Sequence, residues 1–254
     1  MIRVIISGIY GKMGQIIKEK IKQEDNIDCI GGVDIVGTGK DEDIQVVRNI
    51  EEIITNADVV VDFSIASATM EKIPVCIKHK KGMVIGTTGF SDDELRKIKE
   101  ASLTIPILLS SNMSIAINLL YKLVGEAAEV LKNGFDIEVV EKHHRYKKDS
   151  PSGTAISVGR IIAEKRGTKP EKVFKMGRKG FDERKKGDIT FHSVRGGKIV
   201  SDHEILFIGD NEIFKISHTA FSREIFLDGV IQGIYFISDK KSSLYDMQDV
   251  LEIK

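Results

Sequence analysis

The 254-residue sequence predicts an α/β protein: a doubly wound parallel sheet first, then a second, α+β domain with an open mixed sheet. Three observations predict it. β-branched and apolar runs alternate with helical segments from Ile2 to Leu109, the pattern of successive βαβ units. A glycine cluster stands at the first strand–helix junction, the place where open parallel sheets bind ligands. After Leu131 the apolar residues change to period two, with one helix among several strands.

The elements follow in order. Ile2 to Ser7 is a β-branched run and reads as a strand, and Met13, Ile16, Ile17 and Ile21 recur at helical spacing as far as Asn26. A second strand covers 27–33 and a third 57–63, dense enough in apolar residues to be buried on both faces. Two more lie at 83–85 and 105–109. Between these, Ser91 and Glu94 have capping-box spacing and open a charged helix through Glu100. A boundary is expected at 112–114, leaving the apolar helix Ile115 to Leu131 to join the second domain or bridge the two. Period-two strands are expected at 135–141, 189–194 and 213–218, with shorter strand-like runs at 199–200 and 205–208. Ser150 suits an N-cap and Pro151 a first helical position for a helix continued by Ile156, Val158, Ile161 and Ile162.

Lys and Arg total 38, Asp and Glu 38, so the formal charge is zero. With 41% apolar residues and no net charge, a disordered tail protein is excluded, and the chain-wide basic excess of nucleic-acid binders is missing. No apolar run reaches the roughly 18 residues that span a bilayer, and the N-terminus lacks a signal-peptide pattern. Cys29 and Cys76 sit apart in apolar segments without His or Cys neighbours, as reduced core thiols do. No metal site, membrane or nucleic-acid partner is therefore expected, and the expected compartment is the cytoplasm. The zero is a cancellation: Glu24 to Asp62 holds eleven acids and two bases, Lys142 to Lys186 fifteen bases and five acids. The basic stretch suits an anionic ligand, although Lys165 to Lys186 also reads as a solvated loop.

The glycine cluster is Gly8-Ile9-Tyr10-Gly11-Lys12-Met13-Gly14, a G-x-x-G-x-x-G variant of the dinucleotide loop. Its glycines permit a tight turn and a close backbone approach, and the helix start offers N–H groups to a pyrophosphate. Asp34 ends the second strand, where an acid accepts from a ribose 2′-hydroxyl and repels a 2′-phosphate. Ile35 supplies no cation, and Lys12 compensates in part, so NADH is preferred with NADPH also admitted. Gly86-Thr87-Thr88-Gly89 follows a strand and lies at the same ligand-binding edge.

The second concentration of chemistry is the stretch from Glu141 to Ala155, a strand end, a loop rich in proton donors and a helix start. His143 and His144 offer two imidazoles suited to proton transfer. N–H groups near Ser152, Gly153 and Thr154 form an anion site at the helix start, and Lys147 adds a point charge. Adjacent histidines in a loop diverge, which argues against a metal, and no elbow motif makes Ser152 a nucleophile. Other two-domain dinucleotide-dependent oxidoreductases would share the first half without needing this anion site, and a dinucleotide sensor would bind NADH without turnover.

The segment His143-His144-Arg145-x-Lys147-x-Asp149-Ser150-Pro151-Ser152-Gly153-Thr154-Ala155 resembles the signature of the 4-hydroxy-tetrahydrodipicolinate reductase (dihydrodipicolinate reductase) family. The resemblance extends to the glycine loop, Gly86 to Gly89, Ser111 to Ser114, Val194-Arg195-Gly196-Gly197 with His203, His218 to Arg223, and Leu244 to Leu251. It implies a Rossmann-type nicotinamide domain of residues 1–114 and 224–254, a substrate and oligomerisation domain of residues 115–223, and a homotetramer. Position by position, Gly8, Ile9, Tyr10, Gly11, Lys12, Met13, Asp34, Gly86, Thr87, Thr88, Ser110, Ser111, Asn112 and Met113 would bind the cofactor. His143 would be the proton donor and acceptor and Lys147 the proton donor. His144, Ser152, Gly153 and Thr154 would hold a small dicarboxylate substrate. The departures are Ile9-Tyr10, where many members are smaller, and Ile35, where some are basic.

Overall fold

The computed structural model describes residues 1–37, 39–41 and 44–253, with the backbone alone at 40 and 41. Glu42 and Asp43 of the acidic stretch, Thr38, and Lys254 of the expected C-terminal domain segment lie outside the described residues. The chain runs β1 (Ile2–Ser7), α1 (Lys12–Ile21), β2 (Ile27–Val33), β3 (Gly39–Asp41), β4 (Ile44–Val47), β5 (Val59–Asp62), α2 (Ala66–His79), β6 (Gly82–Ile85), α3 (Asp92–Ala101) and β7 (Ile107–Leu109). It continues through α4 (Ile115–Leu131), β8 (Asp136–His143), α5 (Gly153–Lys165), α6 (Pro170–Val173), β9 (Phe174–Met176), β10 (Ile189–Arg195), β11 (Ser201–Ile208) and β12 (Ile213–Ala220). Last come α7 (Leu227–Ser238), β13 (Leu244–Tyr245) and α8 (Met247–Val250). Two compact units result, Met1–Ile115 with Glu224–Glu252, and Ala116–Arg223.

The first unit is a sheet in the order β13-β7-β6-β5-β1-β2-β4-β3, parallel except for the antiparallel edge pair β3–β4. From β1 the chain winds outwards one way through β2 and the other way through β5, so the order reverses between the ends of β1 and β5. Strand residues alternate between two cores, as residues buried on both faces must. Val4, Ile6, Val59 and Val61 face α1 and α7; Ile5, Val60 and Met83 face α2 and α3. The C-terminal helix α7 thereby completes the first unit, contributing Val230, Ile231, Ile234 and Ile237. The capping box of α3 forms as its spacing predicts, with Ser91 accepting from the Glu94 N–H and Glu94 from the Ser91 N–H. The strand expected at 105–109 is shorter because Pro106 has no N–H, although its carbonyl accepts from Met83.

The second unit is a mixed five-stranded sheet, β12-β11-β8-β10-β9, covered on one face by α4 and α5. Residues 199–200 are not a strand: they belong to the turn between β10 and β11. The helix start is also corrected. Pro151 is not its first residue: α5 begins at Gly153, and Ser152 is the N-cap, accepting from the Ala155 N–H at 3.2 Å. Lys165 to Lys186 is not merely a solvated loop. Arg184 ion-pairs with Asp136 and Glu138, Arg178 lies 3.5 Å from Glu138, and α6 and β9 fall within the segment.

Candidate active site

At the end of β1, glycine is required by packing. Gly8 has φ of +77°, and a Cβ there would lie 2.7 Å from the Phe63 carbonyl oxygen. A Cβ on Gly14 would come within 2.2 Å of the Gly8 carbonyl oxygen, so α1 approaches the strand only because that side chain is absent. Gly11 caps α1 without a side-chain acceptor, which leaves its first turn uncovered by any cap. Tyr10 and Lys12 are exposed on this loop, with Met13 half-buried. Asp34, just beyond β2, accepts from the Tyr10 N–H at 3.1 Å and the Val36 N–H at 3.0 Å. Each of its oxygens retains a further lone pair, so the acid both anchors the loop and can accept again.

The remaining first-unit candidates divide into exposed and engaged groups. Ile9 is fully buried, with its side chain packed against Gly32, and Met113 is buried too, so their side chains serve the core. Gly86 lies against the Phe63 ring, Thr88 and Ser111 are exposed, and the Ser110 hydroxyl donates to the Asn112 carbonyl. Thr87 points inwards and donates to Asp62 Oδ1 at 2.6 Å. Asp62 is fully buried, and that one oxygen also accepts from the Ser64 and Thr69 hydroxyls, both at 2.8 Å. Sequence reasoning gave Asp62 no role. Its signal is an acid closing an otherwise apolar buried strand, at the end of β5 beside the reversal of strand order.

In the second unit, β8 buries every second residue: Ile137, Val139, Glu141 and His143. Two ionisable groups therefore occupy positions that would ordinarily be apolar. The Glu141 carboxylate takes two hydrogen bonds from Arg195, at 2.8 and 2.7 Å, and one from the Ser152 N–H at 3.2 Å. His143 Nδ1 lies 2.6 Å from Glu141 Oε2. Burial works against the Glu141 charge, but hydrogen bonds from Arg195, Ser193 and His143 outweigh it and hold the carboxyl down at about 2. His143 is itself pushed down by burial, with Glu141 opposing. His203 packs edge-on against His143 with centroids 5.2 Å apart, and burial and the neighbouring His143 lower it to about 4.

The loop after His143 is pinned from the end of β10. Arg195 donates to the Asp149 carbonyl at 2.7 Å, Gly196 N–H to the His143 carbonyl and Arg145 N–H to the Gly197 carbonyl. Lys147 lies on this loop with Nζ 2.9 Å from Asp149 Oδ1. His144 is half-buried beside Tyr146, with ring centroids 6.3 Å apart. Ser152 departs from expectation: it is 2% exposed, its hydroxyl caps α5 and lies 3.0 Å from His203 Nε2, and its N–H is taken by Glu141. It is a structural cap, and the helix start is left to Gly153 and Thr154. Gly153 is exposed, and a Cβ there would meet no protein atom within 4 Å. Nothing inside the protein demands glycine at 153; a ligand group seated against the helix start would.

Residues 2–113 match the N-terminal domain of dihydrodipicolinate reductase and residues 116–251 its C-terminal domain. The chain belongs to the dihydrodipicolinate reductase family. Among similar curated members, the 4-hydroxy-tetrahydrodipicolinate reductase of Caldanaerobacter subterraneus subsp. tengcongensis is 43% identical, over 99% of both chains. That of Clostridium novyi is 39% identical over 100% of both. Among solved structures, the dipicolinate-bound dihydrodipicolinate reductase from Paenisporosarcina sp. TG-14 superposes with a TM-score of 0.81 at 28% identity, covering 98% of each chain. In this member of the dihydrodipicolinate reductase family, the structure gathers His143, Lys147 and the start of α5 on one connection. It adds Glu141, Arg195 and His203, to which sequence reasoning assigned no role. Among the described residues no group of three His, Cys, Asp or Glu is arranged to hold a metal. Nor is any helix among those residues long and apolar enough to cross a membrane.

Proposed function

We propose that the chain reduces 4-hydroxy-2,3,4,5-tetrahydrodipicolinate to 2,3,4,5-tetrahydrodipicolinate, with loss of water, in lysine and diaminopimelate biosynthesis. The carrying observation is the junction of β8 and α5, where a buried histidine, a lysine and an open glycine at a helix start share one short loop. That junction lies in a chain matched from end to end by reductases of this substrate. The Gly153 and Thr154 N–H groups and the positive end of α5 receive a substrate carboxylate, and His144 and Lys147 add donors. Hydride takes the place of hydroxide, so one net proton is needed to release water; Lys147 donates it, and the His143 Nε2 gives and takes back protons within the turnover.

A nicotinamide dinucleotide, when bound, supplies the hydride. The glycines demanded at 8 and 14 and the uncapped start of α1 fit its pyrophosphate, and Asp34 fits its ribose. Gly8, Gly11, Lys12 and Met13 hold it from the loop, with Ile9, Tyr10, Thr87 and Met113 contributing backbone. Gly86, Thr88, Ser110, Ser111 and Asn112 complete the lining. NADH is preferred to NADPH, because the Asp34 carboxylate repels a 2′-phosphate and Ile35, 77% exposed, offers no cation. The first unit with the C-terminal segment binds the dinucleotide; the second binds substrate and builds a homotetramer through its sheet, whose edge strand β12 exposes Ile213 and Phe214. The protein acts in the cytoplasm, in keeping with its two buried free thiols.

The test follows NADH absorbance while the substrate is generated in situ from pyruvate and aspartate semialdehyde by the preceding synthase. Oxidation dependent on both precursors is expected. No oxidation in that coupled assay rejects the reading.

A further inference from the structure

Glu141 poses a physical question. It is fully buried on the apolar face of β8, where an isolated carboxylate would carry a heavy desolvation cost. The two-pronged contact from Arg195, at 2.8 and 2.7 Å, answers that cost and keeps the group ionised. An ionised carboxylate accepts and does not donate. Its 2.6 Å contact to His143 Nδ1 therefore requires the proton on that nitrogen. Among the described residues no hydrogen bond engages His143 Nε2, and Nε2 is not among the sealed, unpartnered atoms. A second strut leaves the same guanidinium, since Arg195 also donates to the Asp149 carbonyl at 2.7 Å, on the loop where Asp149 pairs with Lys147.

We propose that Glu141, braced by Arg195, is a positioning residue that locks His143 in its Nδ1–H form and reserves Nε2 for proton exchange with the substrate. This rests on the proton-transfer role assigned above to His143. Arg195 positions both proton carriers together, His143 through Glu141 and Lys147 through Asp149. A buried glutamate on a histidine two residues away would otherwise be a costly way to stabilise a strand, whereas an ionised acceptor at that place fixes the tautomer. The charged and titratable groups facing His143 are Glu141 on its own strand, Arg195 on β10, His203 on β11 and Lys147 on the loop.

The test is nitrogen-15 NMR of histidine-labelled wild-type protein, with His143→Asn identifying the resonance. The neutral His143 ring is expected to carry its proton on Nδ1. In Glu141→Gln the tautomers should mix, kcat should fall about 10- to 100-fold with KM changed less, and the His143 limb of the kcat–pH profile should move to lower pH. The direction follows because the carboxylate raises that histidine and the amide does not. If Glu141→Gln does not fold with Arg195 left unpaired, the wild-type spectrum alone still decides the matter. A wild-type ring protonated on Nε2 overturns the proposal and leaves the proposed reaction standing. A folded Glu141→Gln with unchanged tautomer, kcat and pH profile overturns it as well. Wild-type turnover in His143→Asn removes the proton-transfer role itself.

Discussion

At the scale of single residues, the two units show opposite uses of a buried carboxylate. Asp62 gathers hydroxyls and fixes Thr87, whereas Glu141 gathers a guanidinium and fixes a histidine. Lys147 is held beside Asp149 and not in the core, so its truncation should affect chemistry more than folding. Lys147→Ala is expected to lower kcat roughly 10²–10⁴-fold with the melting temperature nearly unchanged, read by coupled assay and calorimetry. Asp34→Ala should weaken NADH more than NADPH, which fluorescence titration of each cofactor measures directly. The buried titratable groups also set the response to acid. His203, lowered to about 4 by burial, binds a proton more readily once unfolded, so its share of stability is complete above about pH 6.5 and is lost towards 4. Glu141, held near 2 against burial by Arg195, contributes fully above about 4.5 and loses its share as pH falls towards 2. Both signs agree, and the melting temperature should fall from pH 6.5 downwards; a flat profile between pH 7 and 4 contradicts this.

At the scale of elements, each candidate site sits where a strand hands over to a helix. α1 can approach β1 because Gly14 has no side chain, and α5 begins where Ser152 supplies the cap. Gly14→Ala places a carbon 2.2 Å from the Gly8 carbonyl oxygen, a clash with backbone that only displacement of α1 relieves. NADH affinity should drop tenfold or more, measured by fluorescence titration, with far-ultraviolet circular dichroism confirming that the helices remain. Much of this was legible in sequence. The glycine spacing, the capping box at Ser91 and the alternation of β8 all formed as local pattern dictates, because propensity and periodicity are properties of neighbouring residues. The start of α5 was misread by two residues because Ser150 and Ser152 are equally good caps in isolation. What selects Ser152 is its burial against Glu141 and His203, which come from other strands.

At the scale of the whole molecule, the chain leaves its first unit after Ile115 and returns at Glu224. The returning helix α7 buries Val230, Ile231, Ile234 and Ile237 in the first unit's core. At roughly 1.5–3 kcal/mol for each such side chain, their loss is comparable to the whole stability of an ordinary domain. A chain ending at Arg223 should therefore lose cooperative melting of the first unit and bind no NADH, checked by calorimetry and fluorescence titration. The proposed tetramer belongs to this scale too. Sedimentation of the intact protein should give four times the 28.3 kDa chain mass, and Phe214→Glu should shift it to smaller species.

Local pattern in the sequence carries the strand–helix alternation, the glycine loop after β1 with Asp34 beyond β2, and the His143 to Ala155 segment. Each is a contiguous string whose spacing expresses its chemistry. Tertiary structure alone decided what surrounds those strings. Glu141 and Arg195 are 54 residues apart, and Ser152 and His203 are 51 apart. No local pattern states that such residues share one buried cluster, because the pairing follows from the register of β8 with β10 and β11. Ile9 and Met113 show the same: named as cofactor residues by the family resemblance, their side chains are committed to the core by packing that only the folded chain creates.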